Sequence, residues 1–232
     1  MRVNPHQTVL TKMIQDLGQT YSTWRVFSDF LELSALSIAN SVDKAQFESR
    51  ESRYLDCIKS YSPEAQKLFP AMFAELVLAL DWELNEKYRP VDVLGPIFHS
   101  LQLLDHYKGQ FFTPQHICDM MGNLVVSDYT REIAERGFVS LHEPCCGSGA
   151  MILGFSASMV EAKQNYNNQL FVTATDVDLK CVHMCYLQLS LYGIPAIVTH
   201  GNTLTQEQWS HWYTPVFVAD DWVNKLRRDK EH

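Results

Sequence analysis

Residues 138–151 read Phe138-Val139-Ser140-Leu141-His142-Glu143-Pro144-Cys145-Cys146-Gly147-Ser148-Gly149-Ala150-Met151. The apolar run Phe138-Val139-Ser140-Leu141 has the length and composition of a buried strand. A small turn with two glycines follows, and Ala150-Met151-Ile152-Leu153-Gly154-Phe155 opens an apolar helix. Strand, glycine turn and helix N-terminus in succession let backbone approach a ligand closely, because glycine carries no Cβ.

Downstream, the pattern repeats. Leu170-Phe171-Val172-Thr173-Ala174-Thr175 reads as a second strand ending in Asp176-Val177-Asp178, and residues 179–191 as an apolar helix. Ala196-Ile197-Val198-Thr199 reads as a third strand ending in His200-Gly201-Asn202-Thr203-Leu204. Alternating strand and helix predict an α/β fold with a parallel sheet. The three polar turns then share the carboxyl edge of the sheet, where open α/β folds bind ligands. Asp176 suits acceptance of ribose hydroxyls from a nucleotide, or the N-cap of the next helix; the two roles are compatible. Asn202 is equally a turn residue after Gly201 or a contact to a base edge. A dinucleotide enzyme is a poor fit, since the first turn lacks G-x-G-x-x-G.

Residues 143–151 resemble motif I of the S-adenosylmethionine-dependent DNA adenine-N6 methyltransferases, above all the modification subunits of type I restriction systems. Asp92-Val93-Leu94-Gly95-Pro96-Ile97-Phe98 resembles the family's lead-in, and Gly109-Gln110-Phe111-Phe112-Thr113-Pro114-Gln115-His116-Ile117 its motif X. Asp176 falls at motif II and Gly201-Asn202-Thr203-Leu204 at motif III. The resemblance implies a Rossmann-like methyltransferase core over residues 91–232, with a partial parallel sheet, behind a helical N-terminal domain over residues 1–90. It implies S-adenosyl-L-methionine as cofactor, held by Phe112, Thr113, Glu143, Pro144, Cys145, Gly147, Ser148, Gly149, Asp176, Val177, Asn202 and Thr203. Phe112 and Thr113 would meet its methionine part, and Glu143 its amino group or nearby backbone. Cys145 and Cys146 are expected as small packing residues, because methyl transfer from a sulfonium to an adenine nitrogen needs placement and no enzyme nucleophile. No metal is expected.

One family element is missing. These enzymes hold the target adenine with Asn/Asp-Pro-Pro-aromatic after a fourth strand, and no Pro-Pro pair occurs in the sequence. Thr214-Pro215-Val216-Phe217, or Ala219-Asp220-Asp221-Trp222 after the run Val216-Phe217-Val218, are the segments from which a substitute could come. Asn202, Phe217, Asp221 and Trp222 are therefore the catalytic candidates. Asn202 also stands where the family usually has Asp, though its amide oxygen still accepts hydrogen bonds. Ending at His232, the sequence leaves little room for further strands or for target recognition. Two functions stay open. One is a reduced DNA adenine-N6 methyltransferase, acting on DNA alone or through a partner such as a second methyltransferase or a specificity subunit. The other is a catalytically inactive relic that regulates a restriction-modification system by protein contacts.

Composition bounds both. The 232 residues carry a formal charge of −8, so the chain as a whole gains no counterion-release affinity for DNA. Lys225-Leu226-Arg227-Arg228-Asp229-Lys230 is the basic candidate, read more simply as a solvated tail. Residues 1–20 lack the apolar region of a signal peptide, and no run spans a bilayer. The six cysteines, at 57, 118, 145, 146, 181 and 185, form no C-x-x-C pair. Reduced thiols in the cytoplasm are expected, with Cys181, His183 and Cys185 as packing residues.

The first ninety residues predict helices. Trp24, Phe27, Leu31, Ala35 and Ile38 recur at helical spacing within 21–42. A second helix is expected over 44–61, capped by Ser41 or Asp43. Ser62-Pro63-Glu64 starts another, with Ser62 at N-cap and Pro63 at N1; it continues through Leu68, Met72, Leu76 and Leu80 with a kink at Pro70. A helix over 93–103 follows, and the domain boundary is placed near 88–108. Gly109 permits a turn, and Thr113-Pro114 predicts an N-cap and N1 for a helix over 115–124.

Overall fold

A computed structural model of the chain describes residues 3–101 and 113–230. Among them, α1 (Pro5–Tyr21), α2 (Thr23–Val42), α3 (Phe47–Ile58), α4 (Pro63–Gln66) and α5 (Leu68–Lys87) precede any strand. Asn4 caps α1 by accepting from the N–H groups of His6 and Gln7. Its amide also donates to the Ala79 carbonyl and to Glu83, so one side chain starts α1 and docks it on α5. The helix expected from residue 44 begins only at Phe47, after a 3₁₀ turn. Asp43 is engaged there by Gln46 and Arg50 and does not cap it. Ser62 caps α4 through the Ala65 N–H, with Pro63 at N1, as expected. The kink at Pro70 is instead a break at Lys67: proline has no N–H for the Gln66 carbonyl, so α4 stops and α5 restarts.

α6 (Leu94–Ser100), α7 (Gln115–Leu124) and α8 (Val126–Arg136) lead into the sheet. Gly109 to Phe112, including the cofactor candidate Phe112, lies outside the described residues. Pro114, not Thr113, takes the N-cap position of α7 and offers no side-chain cap. Its extended backbone (φ −59°, ψ 140°) makes its carbonyl the first to accept, from Ile117 and Cys118.

Then come β1 (Val139–Glu143), α9 (Ala150–Glu161), α10 (Tyr166–Gln169), β2 (Leu170–Asp176), α11 (Leu179–Leu191), β3 (Ala196–Asn202), β4 (Glu207–Tyr213), α12 (Pro215–Ala219) and α13 (Trp222–Lys230). The strands lie in the order β1-β2-β3-β4, so β1 is an edge. β1, β2 and β3 are parallel, with Val139 opposite Leu170 and Val172 opposite Ala196; β4 runs antiparallel to β3. The fold is thus α/β with a mostly parallel sheet, as the alternating pattern predicts. The run Val216-Phe217-Val218 is not a strand. Thr214 donates to the Ile194 carbonyl and accepts from the Ala196 N–H, and Pro215 at N1 starts α12.

Alternation sets the two faces of the sheet. Val139, Val172, Ala174, Ala196, Val198 and Trp212 point into one core shared with α9 and α11, and continuous with Leu10, Phe27 and Met72 of the N-terminal helices. On the opposite face, at the starts of the strands, Phe138, Phe171, Phe217 and Trp222 cluster under α12 and α13. No helix among the described residues is long and apolar enough to cross a membrane.

Candidate functional site

At the carboxyl ends of β1 and β2 the chain makes a tight turn. Gly147 and Gly149 take φ of +53° and +94°, a region that side chains disfavour. The Cys146 N–H donates to the Thr175 carbonyl (2.9 Å), pinning the turn to β2. The Gly147 N–H donates to Asp176 Oδ2 (2.9 Å), while the Asp178 N–H donates to Asp176 Oδ1 (2.9 Å). Asp176 therefore joins the glycine turn to the β2–α11 loop. The N-cap of α11 is Asp178, which accepts from the Lys180 N–H, so the alternative of Asp176 as a plain cap is set aside.

Gly149 also lets α9 approach α11: a Cβ there would lie 3.3 Å from Cys185 Sγ. Cys146 is buried against the same sulfur. A hydrogen bond with Cys185, and then burial, push its thiol well above the usual range, which suits packing and not nucleophilic attack. Cys181, His183 and Cys185 are likewise buried in α11, as expected of packing residues.

Beneath the turn lies a buried polar network. Ser148 Oγ donates to Asp92 Oδ2 (2.7 Å). Gln188 Nε2 donates to Asp92 Oδ1 (2.9 Å) and to the Ser148 carbonyl (2.7 Å), while its Oε1 accepts from the Val93 N–H (2.7 Å). The side chain of Ser148, a cofactor candidate from sequence, is thus committed inward, and its place in the site is that of an anchor. Sequence reasoning assigned no role to Asp92 or Gln188. The available signal was Gln188 itself, a lone amide on the apolar helix. The network fixes the glycine turn against the start of α6. There a cavity of about 390 Å³ is lined by Asp92, Gly95, Pro96, His99, Thr113 and Gln115. Thr113 stands at this cavity, which reaches the turn through Asp92.

The rim of the site is acidic. Glu143 ends β1 half-buried, and its Oε1 accepts from the Cys145 N–H (3.3 Å). Burial raises the Glu143 carboxyl, and the charge of Asp176 adds to that. Burial also raises Asp176, against the lowering effect of the bonds from Asp178 and Gly147. Thr203 donates to the Pro144 carbonyl (2.6 Å), tying the β3–β4 turn to the glycine turn. Asn202 Oδ1 accepts from the N–H groups of Leu204 (3.0 Å) and Thr205 (3.3 Å), a turn-forming role. Val177, directly after Asp176, and Leu204, in the β3–β4 turn that Thr203 ties to Pro144, are exposed apolar side chains (61% and 95%).

Three of the four catalytic candidates are elsewhere. Phe217 and Trp222 are buried in the aromatic cluster with Phe138 and Phe171, at the starts of the strands and opposite the carboxyl edge. Asp221 is exposed and opens α13, accepting from Asn224 and Lys225. None of them adjoins the glycine turn, because residues 214–222 fold as helix beneath the sheet; Asn202 alone of the four lies at the carboxyl edge. The basic segment is no free tail either. It forms α13, where Lys225 donates to the Asn168 carbonyl and packs 3.9 Å over the Trp222 ring. Among the described residues, Asp29, Glu32 and Cys57 are close enough to hold a metal ion. Their charges already meet Arg25 and Arg53.

The arrangement offers a glycine-floored turn, two carboxylates reached by solvent, and apolar side chains beside them. That chemistry fits a cationic, ribose-bearing ligand better than a phosphate. A family model described as N-6 DNA methylase matches residues 92–225, more than half of the chain. No curated protein matches it.

Proposed function

The chain belongs to the N-6 DNA methylase family, and from that premise we propose that residues 92–225 are the S-adenosylmethionine-binding half of a DNA adenine-N6 methyltransferase. The observation that carries this is Asp176. Its carboxylate is held by the Gly147 and Asp178 N–H groups at the end of β2, in a rim it shares with Glu143. When bound, the cofactor supplies an electrophilic methyl group on a sulfonium. Asp176 accepts from the ribose hydroxyls, and Glu143 faces the ammonium. Gly147 and Gly149 keep the floor free of side chains. Val177 and Leu204 flank the base, with Asn202 at its edge. The α7 N-terminus, with Thr113 before it, faces the methionine carboxylate.

The target adenine is flipped from the duplex before transfer. Its N6 needs acceptors that orient the amino group in line with the methyl. Asn202 is not free to serve, since its amide oxygen is spent on the turn. None of the four candidates among the described residues supplies the clamp, and a partner subunit is the source proposed for it. The edge of β1, unpaired among the described residues, is the place for its strand, because ligands in doubly wound sheets lie where the strand order reverses. DNA is then bound chiefly by that partner, in keeping with a charge of −8.

Calorimetric titration with S-adenosylmethionine and with S-adenosylhomocysteine tests the binding step. Saturation at 100 times Kd should stabilise the fold by about 2.7 kcal/mol, visible as a rise in Tm. Labelled-methyl transfer to mixed-sequence DNA should be absent for the chain alone. No heat and no melting shift at millimolar ligand refutes cofactor binding; robust transfer by the chain alone refutes the division of labour.

A further inference from the structure

β4 pairs with β3 through an irregularity. His200 lies opposite Ser210 and Gly201 opposite Gln208, which leaves Trp209 as an extra, unpaired residue in β4. Bulges of this kind re-aim a side chain and concentrate beside active sites. Gly201 makes this one possible: a Cβ there would lie 2.4 Å from the Glu207 carbonyl oxygen. The bulged Trp209 turns its indole edge-to-face onto the His200 ring, at a centroid distance of 4.7 Å. His200 Nε2 in turn lies 3.3 Å from the Val177 carbonyl. A carbonyl only accepts, so the ring presents Nε2–H there. Val177 directly follows Asp176. An unbroken chain of contacts thus runs from the ribose carboxylate to an indole that is 50% exposed.

A half-exposed tryptophan held by a histidine ring is poorly explained as core packing. Trp212, three residues on, fills the core instead. The indole stands at the same strand ends as Val177 and Leu204, where a purine would lie. We propose that Trp209 is a base-positioning residue, an aromatic wall for the purine of the bound nucleoside, with His200 holding it and the Val177 backbone in place. This rests on the cofactor-binding function proposed above and adds a residue outside the glycine turn and the acidic loop. Stacking on an aromatic ring suits the role, since every purine presents a π-face.

The test uses the full chain and two probes, S-adenosylhomocysteine and adenosine. Binding is followed by calorimetry and by tryptophan emission. Trp209→Ala should weaken both ligands by about tenfold, the usual scale for losing one base–aromatic stack. Trp24 packs on Lys180, whose ammonium pairs with Asp178 beside the acidic rim, so emission is read in a Trp24→Phe background; there Trp209→Phe should retain affinity within about threefold while abolishing the ligand-induced change in emission. His200→Ala should weaken both probes, with the emission change reduced. The melting temperature of each ligand-free variant serves as the control for folding. If the parent chain binds but Trp209→Ala binds equally well, or the emission change survives in Trp209→Phe, Trp209 has no part in the site while cofactor binding stands. If the parent chain binds neither probe, both proposals fall. Should Trp209→Ala not fold, the emission of Trp209→Phe still decides.

Discussion

Asp176→Ala and Asp178→Ala form a matched pair, two residues apart, that separates ligand binding from helix capping. Asp176 accepts two backbone N–H groups at 2.9 Å each. Removing its carboxylate leaves both without their acceptor, a loss of roughly 1 kcal/mol each where water can reach them. Part of that is returned, since burial already disfavours the ionised carboxyl. The ligand-free fold should therefore lose about 1–2 kcal/mol. Asp178 caps α11 through the Lys180 N–H at 2.9 Å, and its loss should cost about 1 kcal/mol. In the ligand-free state the two variants are thus nearly alike. In affinity they diverge. Asp176→Ala also loses the charged acceptor for the ribose, about 1.5–3 kcal/mol, or roughly 10- to 150-fold in Kd. Asp178→Ala should stay within about threefold, as its carboxylate is occupied by Lys180. Thermal melts without ligand and calorimetry with S-adenosylhomocysteine read the two quantities separately. Equal losses of affinity, or a loss confined to Asp178→Ala, would show that the ribose end lies elsewhere.

Binding should depend on pH through the rim. The carboxyls of Glu143 and Asp176 are both raised, mainly by burial, so a cationic ligand favours their ionised forms and releases protons. Affinity for S-adenosylmethionine should fall as pH drops into the carboxylate range, more steeply than for uncharged adenosine; parallel profiles would contradict the acidic rim. For the free fold the sign is reversed: these two raised groups favour folding at low pH, and that contribution is lost as pH rises through their folded pKa values. His183 acts the other way. Burial lowers its pKa from 6.5 to about 3, so its stabilising contribution is present above 6.5 and is lost as pH falls from there to about 3. His183→Phe should flatten the urea midpoint over that window, and an unchanged slope would deny the buried neutral ring. Arg50 is buried, pairs with Asp43 (2.9 Å), donates to the His211 carbonyl (2.8 Å) and packs over Trp212. Arg50→Ala should cost about 3–5 kcal/mol by stranding Asp43, and a loss below about 1 kcal/mol in chemical denaturation would refute that.

What could be read from the sequence was what local chemistry dictates. The glycine turn, the three parallel strands, the Ser62-Pro63 start and Asp176 at the end of β2 depend on neighbours along the chain, and all are found in place. The failures come where contacts distant in sequence decide. Val216-Phe217-Val218 has the composition of a strand, but Pro215 and the bonds of Thr214 to Ile194 and Ala196 commit it to helix. β4 has no such signature: Glu207, Gln208 and Trp209 are all exposed, so period-two alternation is hidden by the bulge at Trp209. Phe217 and Trp222 looked catalytic because aromatic residues near a chain's missing motif invite that role. Their partners, Phe171 for Phe217 and Phe138 for Trp222, are 46 and 84 residues upstream and draw them to the far end of the sheet. The Asp92–Ser148–Gln188 network escaped for the same reason. Each member alone is an ordinary polar residue, and only their convergence from three separate segments makes Ser148 an anchor. The glycine turn and the acidic residues beside it are local in sequence and so are legible. Residues 214–222, the segment from which a base-holding motif is expected, are instead drawn by those distant partners into packing the sheet's opposite end.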